Sequence, residues 1–331
     1  MKIMVYEARP DERADLEKQA ALHGVELSVT DAVHTLENAS LAAGCIGVSI
    51  LGQGCIDAAL LDAYHALGIR YLSTRTIGYD HIDLDHARSI GLRVCSASYA
   101  PNGVADFTVM MILMCLRHYK QALWRGQVND FSLTGLQGRE MKDLTIGIIG
   151  TGRIGAQVAR NLSGFGCRIL AYDLRRNPAV EPQVTYVDFD TLLAQSDVIT
   201  LHMPLLDSNR HIINRESIAK MRDGVVIVNC SRGELADIEA LIEGIETGKI
   251  GALGMDTVEG DEGIIHADHR VDILPNRNWF YLHQFRNVIM TQHMAFYTDA
   301  AVSSMVDCGI GGICQMAAGE SCPTELTGPV Q

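Results

Sequence analysis

Short apolar runs alternate with longer amphipathic stretches along almost the whole chain. Residues 1–6 predict a strand, 11–23 a helix with Leu16 and Ala20 at helical spacing, and 25–30 a second strand. Residues 45–50 predict a third strand, 56–67 a helix, and 71–73 and 92–95 further short strands. Such a series is a run of βαβ units around a parallel sheet. A second series follows. Strands are expected at 144–149, 168–172, 198–202, 225–229, 252–255 and 288–291, with helices at 156–165, 216–221 and 237–246. Residues 299–316 are helical again and are expected to return to the first series. At 331 residues the chain has room for about two domains. They are expected at 1–100 with 299–331, and at 101–298.

Two stretches depart from the alternation. Residues 102–125, after Pro101, are apolar on nearly every face (Val104, Phe107, Met110, Met111, Leu113, Met114, Leu116). This predicts one buried connecting helix that also offers a homodimer surface. The apolar block at 109–116 is too short to cross a bilayer, so no membrane role is expected. Residues 260–284 have little periodicity and read as a long loop or lid. The formal net charge of −13 argues against a nucleic-acid partner. Nine scattered cysteines with no C-x-x-C spacing and no secretory leader point to reduced thiols and a cytoplasmic protein.

The most specific motif is Gly150-Thr151-Gly152-Arg153-Ile154-Gly155. It follows an apolar run and opens a helical stretch, and Asp173 ends the next strand eighteen residues after Gly155. The first glycine permits a tight turn, the second lets backbone approach a pyrophosphate, and the third lets helix pack on strand. Helix N–H groups then face the anion. A dinucleotide cofactor is expected.

Ligands bind beyond the carboxyl ends of parallel strands. Those ends carry Cys230-Ser231-Arg232-Gly233, then Asp256 with Glu259, Asp261 and Glu262, then Gln292-His293. An arginine fork suits a carboxylate and a carbonyl oxygen. A histidine can protonate a developing alkoxide, and a carboxylate beside it favours the imidazolium. With hydride from a nicotinamide, reduction of a 2-oxo acid needs no metal. Of the twelve histidines, His81, His86, His202 and His211 are read as structural.

These motifs together resemble the D-isomer-specific 2-hydroxyacid dehydrogenases, in particular the D-lactate dehydrogenase branch that includes the vancomycin-resistance type. The likeness is carried by the runs 74–83, 98–101, 150–155, 202–204, 229–233, 255–260 and 293–298. It implies a flavodoxin-like substrate domain and a Rossmann cofactor domain, both doubly wound α/β, with a cleft between them. It also implies roles. Arg232 holds the substrate and His293 donates the proton. Ile77 and Gly78 give backbone contacts to the substrate carboxylate, and Tyr99 and Tyr297 line its pocket. Arg153 and Ile154 touch the pyrophosphate, and Asp173 binds the ribose. Met203, Pro204 and Asn209 lie along the adenosine, and Cys230 and Asp256 along the nicotinamide.

One position departs from the family pattern. The catalytic glutamate, five residues after the aspartate matching Asp256, is here Asp261, followed by Glu262. Asp261 is the favoured partner of His293, with Glu262 as the alternative. Asp173 favours NAD over NADP, although Arg175 and Arg176 follow it closely. Ser49 to Gln53, Tyr99 and Phe296-Tyr297 are expected to frame a pocket without a second cation. Pyruvate is the first expectation, phenylpyruvate and branched 2-oxo acids the next. A dinucleotide-sensing binding protein is the reading from another class.

Overall fold

The computed structural model describes residues 1–328, so the expectation placing 329–331 in the first domain lies outside the described residues. Two units form, Met1–Ala100 with the segment from Tyr297 onward, and Pro101–Phe296. The chain leaves the second unit at Tyr297, two residues before the expected return.

Unit 1 begins with β1 (Lys2–Val5), α1 (Arg13–His23), β2 (Glu26–Val29) and β3 (Gly47–Ile50). It continues through α2 (Ala58–Ala66), β4 (Tyr71–Thr74), α3 (Leu84–Ser89) and β5 (Arg93–Cys95). The strands form a five-stranded sheet, order β2-β1-β3-β4-β5, with every pairing parallel. Helix α3 was not foreseen. It is six residues long, too short for periodicity to register, and Asp83 caps it by accepting from the His86 N–H.

Unit 2 opens with α4 (Asn102–Leu116) and α5 (Tyr119–Gln127) rather than one helix. His118 between them sits at φ 49°, and Arg139 donates its N–H to the Leu116 carbonyl. The returning chain thus takes a carbonyl at the helix end, and a tertiary contact breaks the helix where the apolar pattern runs on. Next come β6 (Thr145–Ile149), α6 (Arg153–Ser163), β7 (Arg168–Tyr172), β8 (Thr185–Tyr186) and α7 (Phe189–Gln195). The unit is completed by β9 (Val198–Leu201), α8 (Arg215–Lys220), β10 (Val225–Asn229), α9 (Ile238–Glu246), β11 (Ile250–Met255), α10 (Arg277–Gln284) and β12 (Val288–Met290). Its seven strands run β12-β11-β10-β9-β6-β7-β8, again all parallel. Strands β6, β9 and β10 are buried at every position, as expected of a parallel sheet covered on both faces.

Helix α10 corrects the reading of 260–284 as wholly irregular. Asn276 caps it through the Trp279 N–H, a signal hidden by the aromatic run behind it. The last helix, α11 (Asp299–Ala317), belongs to unit 1 and is capped by Thr298. By length and composition it is the one helix among the described residues that could cross a membrane. Its face of Val306, Ile310 and Ile313 instead packs with Ile3 and Val5 of β1 in the core of unit 1.

Candidate active site

The glycine loop joins β6 to α6. Gly150, at φ 93°, turns the chain, donates to the Tyr172 carbonyl at 2.8 Å, and lies where a Cβ would sit 2.7 Å from the His202 carbonyl oxygen. Gly155 packs so close to the Gly150 carbonyl that no side chain fits. Gly152 is different. Its φ is −63°, and a Cβ there would meet nothing within 4 Å. Nothing in the protein requires glycine at this point, yet α6 begins here without a side-chain cap. Open space before uncapped N–H groups fits a dinucleotide pyrophosphate. The helix starts at Arg153, three residues earlier than the pattern predicted.

Asp173 follows β7. Its Oδ2 accepts from the Thr151 N–H (2.6 Å) and hydroxyl (3.1 Å), and its Oδ1 from the Arg175 N–H (2.9 Å). A carboxylate has about four acceptor positions, so roughly one remains, on Oδ1. The Tyr186 hydroxyl donates to Thr151 Oγ1, and the Asn177 amide to the Thr151 carbonyl. The Arg176 guanidinium lies over the Tyr186 ring, 5.5 Å from its centroid.

At the neighbouring strand ends, side chains lock the backbone. Asn229 is fully buried; it accepts from the Ser231 N–H and donates to the Arg232 carbonyl (2.7 Å). The Ser231 hydroxyl donates to the Met203 carbonyl, and Asn209 braces its own loop through the Leu206 N–H and the Pro204 carbonyl. Arg232 is half-buried, with Nη1 2.9 Å from the Ser231 carbonyl. Burial pushes the Cys230 thiol well up, which leaves it neutral and unreactive. Burial also pushes His202 down to about 3. Its Nε2 lies 2.9 Å from the Thr200 hydroxyl and its Nδ1 has no hydrogen-bond partner, so it is a neutral ring.

The loop after β10 packs directly on the loop after β11. A Cβ on Gly233 would lie 2.6 Å from the Val258 carbonyl oxygen. Asp256, 1% exposed, then fastens the loop after β12. It accepts from the Thr291 hydroxyl (2.6 Å) and from the N–H groups of Met294 (2.9 Å) and Ala295 (2.8 Å). His293 stands between these anchors in the left-handed region, at φ 52°. Its carbonyl lies 3.3 Å from His266 Nε2, and the rings of His266, His293 and Phe296 are 6.1–6.4 Å apart.

The acids of this edge have separate surroundings. Glu259 holds His211 at 2.6 Å. Glu262 is exposed. Asp261 is half-buried and accepts from the Val258 N–H at 3.1 Å. Burial, opposed by that N–H and reinforced by Glu262, Glu234 and Asp256, pushes its carboxyl up to about 7. Arg232, Asp256 and His293 thus follow three adjacent strands on the carboxyl edge of one sheet.

Residues 109–295 match the model of the D-isomer specific 2-hydroxyacid dehydrogenase NAD binding domain. An aromatic 2-oxoacid reductase of Clostridium sporogenes is 41% identical over 309 residues, 93% of either chain. The chain belongs to the D-isomer specific 2-hydroxyacid dehydrogenases. A D-lactate dehydrogenase of Escherichia coli is 36% identical over 98% of this chain and 100% of its own. The NAD complexed form of a D-isomer specific 2-hydroxyacid dehydrogenase from Lactobacillus delbrueckii ssp. bulgaricus has a TM-score of 0.84 at 31% identity, covering 98% of this chain and 100% of that one. This 2-hydroxyacid dehydrogenase is therefore an NAD-dependent oxidoreductase, and unit 2 carries its NAD-binding domain.

In unit 1 of the dehydrogenase, Ile77 and Gly78 follow β4. The Thr76 hydroxyl donates to the Gly78 carbonyl at 2.6 Å, and the Ala97 N–H to the Thr76 carbonyl at 2.9 Å, so this turn is braced. Tyr99 follows β5 and is half-buried. Tyr297 is largely exposed, with the Arg9 guanidinium 5.1 Å from its ring centroid. Sequence reasoning passed over Arg9, which lies beyond β1, and His266, which lies in an aperiodic loop. Arg9 lies beyond the carboxyl end of β1, where the strand-end rule reaches it.

Proposed function

We propose that this dehydrogenase reduces a small or moderately apolar 2-oxo acid to its D-2-hydroxy acid, with pyruvate as the first substrate. The observation that carries this reading is the fastening of three strand-end loops, bearing Arg232, Asp261 and His293, by Asn229, Gly233 and Asp256. Bound NADH supplies the hydride. Arg232 offers its guanidinium fork to the substrate carboxylate and carbonyl oxygen, drawing charge toward the oxygen. His293 gives its proton to that oxygen as the alkoxide forms. Asp261, when ionised, favours the imidazolium that must be present first. Ile77 and Gly78 contribute backbone donors to the carboxylate, and Tyr99, Tyr297 and the loop at 49–53 bound the side-chain space. Arg153 and Ile154 meet the pyrophosphate, Asp173 the ribose, Met203, Pro204 and Asn209 the adenosine, and Cys230 and Asp256 the nicotinamide.

A second reading, phenylpyruvate, is favoured by the 41% identity to a protein named as an aromatic 2-oxoacid reductase. Loss of NADH absorbance with pyruvate, phenylpyruvate, 4-methyl-2-oxopentanoate and 2-oxoglutarate in turn separates them. The highest kcat/KM is expected with pyruvate and the lowest with 2-oxoglutarate. Preference for the dicarboxylate, or no turnover of any, would sink the proposal.

We also propose a cytoplasmic homodimer. A run of exposed apolar side chains lies on α5 and just beyond it, at Leu123, Trp124, Val128, Phe131 and Leu133, whereas α4 is largely buried. This moves the candidate surface from the helix at 102 onward to the segment after it. Light scattering at micromolar concentration is expected to give twice the mass of one chain, and Trp124→Glu to lower it.

A further inference from the structure

Unit 1 buries two carboxylates, Glu7 and Glu12, with His34 and Arg75, each no more than 3% exposed. Buried charges persist only where each is paired and hydrogen-bonded. Arg75 reaches Glu12 at 2.9 Å, the Ser49 hydroxyl at 3.2 Å and the Tyr6 and Glu7 carbonyls at 3.0 and 3.3 Å. The Glu7 side chain has a different set of partners. Its Oε2 accepts from the N–H groups of Leu51 and Gly52, and its Oε1 from that of Gln53 at 3.1 Å. His34 Nδ1 lies 3.3 Å from the same Oε1.

Three successive N–H groups turned to one point form a concavity suited to an anion. Here the chain supplies the anion itself, from a residue at φ 55°, where a side chain other than glycine is rarely found. The loop is fitted on its other sides by glycines. A Cβ on Gly52, at φ 89°, would lie 3.0 Å from the His81 ring, and one on Gly54 would lie 2.9 Å from His34 Nε2. The loop's position is therefore set by one carboxylate and two rings, and strain at Glu7 is tolerated to hold it there.

We infer that Glu7 is a positioning residue for substrate selection, its carboxylate fixing the Leu51–Gln53 loop and with it the room beside the side chain of the 2-oxo acid. This rests on the reading above that the loop frames the substrate pocket. Glu7→Ala is expected to free the loop, raising KM for pyruvate about tenfold, leaving kcat within about threefold, and raising the phenylpyruvate to pyruvate ratio of kcat/KM at least about fivefold. The Kd for NADH is expected to stay unchanged. Glu7→Gln keeps one acceptor oxygen but sets an NH2 against a backbone N–H or the His34 ring. It is expected to give the same shift at about half the size on a logarithmic scale, and it decides the matter if the alanine variant does not fold. An unchanged ratio in a folded Glu7 variant overturns the inference. Leu51→Ala separates the two failures. If it moves the ratio while the Glu7 variants do not, this inference alone fails; if it leaves the ratio unmoved, the framing reading fails with it.

Discussion

A carboxyl held near neutrality makes both activity and stability depend on pH. In the mechanism proposed above, reduction needs His293 as the imidazolium, and a charged Asp261 favours that form. Asp261→Asn should therefore lower the histidine's pKa and move the alkaline limb of kcat/KM for reduction to lower pH by about one unit. Glu262→Gln, at an exposed position, should leave the limb in place. A pH profile in which only the second variant moves would reverse the two roles. Stability has its own sign. The Asp261 carboxyl sits at about 7 in the folded chain against an ordinary value near 4, so folding takes up a proton between them. Its contribution is complete below about pH 4 and fades as pH rises through about 7. Urea midpoints across that window should fall less steeply in Asp261→Asn than in the wild type. Asp256 is a separate case. Replacing it by alanine leaves the Met294 and Ala295 N–H groups without their acceptor. A loss of about 3–5 kcal/mol in urea unfolding is expected, with kcat falling further than the population of folded protein.

At the scale of elements, the glycine loop gives a sharper test than its motif. Gly155→Ala must push against the Gly150 carbonyl and should lower the melting temperature. Gly152→Ala meets open space and should melt with the wild type, yet bind NADH at least about tenfold more weakly in a fluorescence titration. Equal NADH affinity in a folded Gly152→Ala would remove the pyrophosphate from this loop. Much of this architecture is legible in the chain. Residues 225–229 read as a strand and form β10 with the same bounds, because a strand buried on both faces is a plain apolar run between breakers. Asp237 before a periodic stretch announces α9, which it caps. The break at Arg117–His118 is not legible, since it comes from Arg139 bonding to Leu116, two segments whose proximity the local pattern does not encode. The same holds for the candidate site. Strand ends single out Arg232, Asp256 and His293, but the three bonds from Asp256 to the His293 loop depend on β11 and β12 being neighbours.

At the scale of the molecule, the first unit is assembled from both ends of the chain. Beyond α11, the chain lies along β5. Ser96 donates to the Thr324 carbonyl (3.0 Å), Leu326 to the Val94 carbonyl (2.8 Å) and Val94 to the Thr327 hydroxyl (2.8 Å), while Arg93 pairs with Glu325 at 2.7 Å. Removing everything from Cys322 onward would leave β5 an open edge. The shortened chain should lose about 2–4 kcal/mol and aggregate on heating, read by thermal melts with turbidity. Folding during synthesis inherits the same arrangement. Ile3 and Val5 emerge long before the residues that cover them, Val306, Ile310 and Ile313. From Cys95, which completes the sheet, to Val306, on the order of ten to forty seconds pass at about 5–20 residues per second. For that interval the nascent chain carries a bare apolar sheet while its second unit is still being made, so the part written first is the part finished last.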